Sequence, residues 1–97
     1  MDLQECRRKI DCIDEQLLSL FLERIEVCKD VALYKEAHGM PIHHPKREQE
    51  ILEKIQLTAM EHAPYATQIY KTIFTMSKQY QKHIVSTDKE GSHCNTV

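Results

Sequence analysis

Arg24 stands where a charge is costly. Apolar residues recur around it in steps of three and four: Leu3, Cys6, Ile10, Ile13, Leu17, Leu20, then Arg24, Val27, Val31 and Tyr34. The guanidinium therefore falls on the apolar seam of a helix. Buried there, it needs an acceptor or an anion. Three readings meet that need: a salt bridge to Glu23 or Glu26, a polar residue that fixes register in a coiled coil, or a seat for an anionic guest. Lys35 follows eleven residues later, about three helical turns and ~16 Å along the axis, so both cations point the same way. Two long cationic side chains at that spacing can bracket a small anion. Lys35 taken alone also reads as a cation favoured at a helix C-terminus.

Other polar residues stand out by their company. Ser77 and Gln81 form an i, i+4 pair in line with Ile73 and Ile84. Neutral polar groups on an apolar stripe need hydrogen bonds, from other helices or from a ligand. Arg47 and Glu48 follow Pro45 in the first turn of a helix, where an exposed ion pair is the default and an acid is favourable. The six histidines match no HExxH pattern, and no cysteine lies near them at zinc-site spacing, so no metal is expected. No Ser-His-Asp or Cys-His arrangement emerges either.

Long helices must position these groups. Residues 2–38 contain neither glycine nor proline. Beside the seam runs a second stripe: Arg7, Asp14, Leu18, Phe21, Ile25, Cys28, Ala32 and Lys35. Asp2 can cap this helix, with Glu5 completing a capping box, and Gly39 can close it. Its length is roughly 50 Å, against a radius of gyration of about 13 Å for a compact chain of this size. The helix overhangs anything its own chain can wrap around it, which calls for a second copy. Arg7 lies seventeen residues from Arg24, about 25 Å along one helix. In an antiparallel dimer, however, Arg7 of one chain can approach Arg24 of the other.

A second helix is predicted over residues 45–62, opened by Pro45, and a third from Pro64 to about Val85. The polar segment 86–97 has no period and reads as a disordered tail, leaving one all-α domain over residues 1–85. Two glycines, three prolines and no tryptophan in 97 residues suit helices rather than sheets. A net charge of −2 with mixed signs gives no footprint for nucleic acid. No apolar stretch is long enough to span a membrane, and the N-terminus lacks a signal-peptide core. Cys6, Cys12, Cys28 and Cys94 show no CxxC spacing, as expected of reduced thiols in the cytoplasm.

Taken together with their spacings, four segments resemble the all-helical class of chorismate mutases in its short stand-alone form. They are CRRKIDCIDEQLLSLFLER (6–24), ALYK (32–35), HPKREQEIL (44–52) and SKQYQ (77–81). The resemblance implies an intertwined homodimer of three-helix chains with two equivalent sites shared between chains. It implies rearrangement of chorismate to prephenate, on the path to phenylalanine and tyrosine, without a cofactor. By the same resemblance, Arg7 reaches from the partner chain to a substrate carboxylate, and Arg24 and Ser77 hold carboxylate oxygens. Lys35 and Gln81 hydrogen-bond the ether oxygen, Glu48 accepts the ring hydroxyl, and Arg47 supports that corner. His44 departs from the pattern, since the family often has an aspartate there; an imidazole can still hydrogen-bond a hydroxyl. The alternatives are an isochorismate-pyruvate lyase of the same fold, or a non-catalytic helical dimer or regulatory module. The resemblance also leaves room for docking on another enzyme of the shikimate pathway.

Overall fold

The computed structural model describes residues 2–94, with side chains through residue 87. Three helices account for nearly all of it: α1 (Leu3–Ala37), α2 (Pro45–Ala59) and α3 (Ala63–Cys94), with a short 3₁₀ turn, Met60–His62, before α3. Both ends of α1 are closed by local chemistry. At its start the Asp2 carboxylate accepts a 2.8 Å hydrogen bond from the Glu5 backbone N–H, which satisfies one of the donors a helix leaves free. At its end Gly39 takes φ +63°. The Met40 N–H then donates to the Lys35 carbonyl at 2.8 Å and the Gly39 N–H to the Glu36 carbonyl at 3.3 Å. That crossed pair is the Schellman motif, and it needs a residue that tolerates the left-handed conformation.

Two helix ends differ from the prediction. The α-helical part of α2 stops at Ala59, not His62, and Met60 turns the chain with φ 52° and ψ −115°. The turn brings Ala63, fully buried, to the start of α3. Helix α3 also continues to Cys94, well past the predicted end at Val85. The backbone of residues 86–94, the first part of the segment expected as a tail, belongs to α3, and residues 95–97 lie outside the described residues. Loss of apolar period reports loss of packing, whereas the backbone ladder adds one bond per residue regardless. No proline follows Pro64 to stop it.

Helix α3 packs on both α1 and α2. The second stripe of α1 is the inward one: Phe21, Ile25 and Cys28 are half-buried and Ala32 is buried, with Phe74 buried on α3. The heptad seam is left largely bare, with Leu3, Ile10, Ile13, Leu17 and Leu20 each more than half exposed. The radius of gyration is 17.6 Å and the body measures 60 × 32 × 14 Å. Among the described residues no helix is long and apolar enough to cross a membrane.

Candidate active site

The C-terminal half of α1, the first turn of α2 and the middle of α3 enclose a cavity of about 280 Å³. Seven of the eight expected residues line it: Arg24, Lys35, His44, Arg47, Glu48, Ser77 and Gln81. Its apolar walls include Val27, Val31, Ile42, Ile51 and Phe74. Arg7 is exposed on the overhanging end of α1 and does not line the cavity within one chain.

Arg24 resolves its burial across the helices. Its Nη1 donates to Ser77 Oγ at 2.7 Å and lies 3.7 Å from Cys28 Sγ. Among the described residues it forms no ion pair with Glu23 or Glu26, which are exposed. Neighbours one and two residues away on a helix do not face each other. The guanidinium has five donors, so bonds to Ser77 and Cys28 leave it able to bind an anion.

Lys35 is held by the turn it helps to close. Its Nζ donates to the Ile42 carbonyl at 2.8 Å, which fixes the ammonium at the mouth of the loop and leaves two further protons. Gln81 is only 7% exposed, and its Oε1 has no hydrogen-bond partner among the described residues. A buried amide left unsatisfied is costly. Rotation about its terminal bond exchanges oxygen for NH₂, so the group can present a donor to the cavity it lines.

The α2 corner differs from the sequence reading. Arg47 and Glu48 do not pair with each other. Arg47 Nη1 lies 3.7 Å from Glu50 Oε2, and both of those side chains are more than half exposed. Glu48 instead reaches across to Lys78 on α3, with 3.1 Å between Nζ and Oε2. Lys78 was missed in the sequence. It stands three residues before Gln81 inside the SKQYQ segment, and that spacing places both on one helical face.

The lining thus carries four cations, Arg24, Lys35, Arg47 and Lys78, against the single anion Glu48. Such a cavity suits a small guest with more than one negative charge. It contains no nucleophile paired with a base, and among the described residues no three metal-ligating side chains converge.

Residues 6–82 match the family described as chorismate mutase type II. A chorismate mutase from Methanocaldococcus jannaschii is 37% identical over 83 residues, spanning 82% of this chain and 84% of that protein. A bifunctional chorismate mutase/prephenate dehydratase from Aquifex aeolicus is 46% identical over 54 residues, which are 56% of this chain and 15% of that longer protein. The crystal structure of Helicobacter pylori chorismate mutase in complex with prephenate superposes with a TM-score of 0.78 at 32% identity, covering 87% of this chain and 93% of that one. With its helices, its cationic cleft and a match over most of its length, the chain belongs to the chorismate mutase type II family.

Proposed function

We propose that the cleft takes chorismate and releases prephenate, a rearrangement on the way to phenylalanine and tyrosine. One observation carries the reading: Arg24, Lys35 and the buried, unsatisfied Gln81 converge on one cavity walled by apolar side chains. The reaction is unimolecular. One C–O bond breaks while a C–C bond forms, with no proton transfer and no covalent intermediate. The protein's work is therefore to hold a compact conformer and to stabilise charge as it shifts.

Arg24, steadied by Ser77 at 2.7 Å, grips a carboxylate with its planar fork. Lys35 and the Gln81 amide meet the ether oxygen, where negative charge grows as the bond lengthens. Donors aimed there bind the transition state better than the ground state. Glu48 accepts the ring hydroxyl, with His44 and Arg47 beside it.

The remaining carboxylate calls for Arg7 of a second copy. The exposed α1 seam supports that assembly, because five large apolar side chains between Leu3 and Leu20 have no cover within the chain. An antiparallel partner covers them and carries its own Arg7 toward Arg24. The cytoplasm suits such an enzyme, with Cys6, Cys12 and Cys28 as free thiols. Fusion of a mutase to prephenate dehydratase in the Aquifex relative supports another enzyme of the pathway as a docking partner.

The test is direct. Purified chain added to chorismate should abolish its absorbance and yield prephenate. Unchanged chorismate would refute the reading, and pyruvate release from isochorismate alone would favour a lyase.

A further inference from the structure

Among the described residues, the pair formed by Glu48 and Lys78 differs from the other ion pairs. Arg47–Glu50 and His62–Glu61 are exposed and local in sequence. Glu48 and Lys78 join two helices, each side chain is only 26% exposed, and both line the cavity. Ion pairs withdrawn from water are screened less than surface ones. Ile51 and Phe74 add apolar surface to the same lining.

Resting on the reading that Glu48 receives the ring hydroxyl, we propose that Lys78 is a positioning residue that sets specificity at that corner: it favours a neutral hydroxyl over a cationic amine at the same ring position. Lys78 engages one of the two carboxylate oxygens, at 3.1 Å. A carboxylate has acceptor capacity for more than one donor. A guest hydroxyl can therefore bond to Glu48 while Lys78 stays in place. An amine at that ring position is protonated near neutral pH. It would seek the same carboxylate and come up against the Lys78 ammonium, and like charges crowded together select against the guest. Without Lys78 the corner would hold an unpaired carboxylate, which prefers a cation. The lysine thus turns an indiscriminate acceptor into one matched to an uncharged group.

The experiment compares chorismate with its analogue carrying an amine in place of the ring hydroxyl, using the full chain. The quantity read is the ratio of the two kcat/KM values. Lys78→Met keeps the aliphatic stem and removes the charge, and it should move the ratio toward the amine by about ten-fold or more. Lys78→Arg restores a cation and should hold the wild-type ratio. If Lys78→Met slows both compounds equally, the residue is merely structural and the proposal fails. Should the methionine variant not fold by circular dichroism, Lys78→Gln makes the same comparison. A wild-type chain inactive on chorismate would overturn the reading of the site itself, an outcome distinct from an active chain whose ratio ignores residue 78.

Discussion

The two halves of α1 have the same kind of sequence and opposite surroundings. From Phe21 onward the helix is backed by α3: Ala32 is buried, and Arg24, Cys28 and Lys35 face the cavity. From Leu3 to Leu20 the apolar period continues undiminished, yet Ile10, Ile13, Leu17 and Leu20 stand more than half exposed. Periodicity states that a face will be buried without naming what buries it. In the C-terminal half α3 of the same chain covers the second stripe; in the N-terminal half the proposed second copy would cover the seam.

The contrast can be broken from either side. The largest effect is expected on the bare half. Leu17→Asp puts an unpaired charge on a seam position that is 60% exposed in the single chain, and burial of such a charge in an interface is prohibitive. Sedimentation should show loss of the dimer, and activity should vanish with it. A variant that stays dimeric and active would return this seam to solvent. On the packed half, Lys35→Ala should lower kcat by at least ~100-fold, the scale of losing one preorganised donor, while the dimer persists. Near-normal turnover would remove Lys35 from the ether oxygen.

Joining the halves gives a sharper result. Arg7→Ala and Arg24→Ala chains, each close to inactive, should recover about a quarter of wild-type activity when refolded together, since random pairing in a two-fold dimer leaves one intact site per mixed pair. Mixtures that remain inactive would mean that no site draws on both chains. The smallest effect concerns neither half. Met60 holds a positive φ of 52°, a strain of about 1 kcal/mol for a side chain. Met60→Gly should raise the unfolding midpoint with kcat unaltered, as thermal denaturation would show.

Much of this was legible in the sequence because helices declare themselves locally. The Asp2 cap, the Gly39 stop and Pro45 at the start of α2 each act within a few residues. The positions of Arg24 and Lys35 followed from 3.6-residue geometry, and both line the cavity. Partners across helices were harder to read. Arg24 took Ser77, fifty-three residues away, when the nearby candidates were Glu23 and Glu26. Glu48 took Lys78 from α3, and adjacency to Arg47 gave no hint of it. The end of α3 was misjudged because its polar residues carry no apolar signal while the backbone ladder runs on to Cys94.

At 14 Å through its thinnest direction, the chain is little more than a single sheet of rods, each 10–12 Å wide with its side chains. A slab of that kind has little inside beyond Ala32, Ala63, Phe74 and Gln81, and in the proposed dimer most of the interior would lie between copies. In that dimer folding and association would be one event. The melting temperature should climb as the protein is concentrated, and dilution should unfold the enzyme rather than merely separate it.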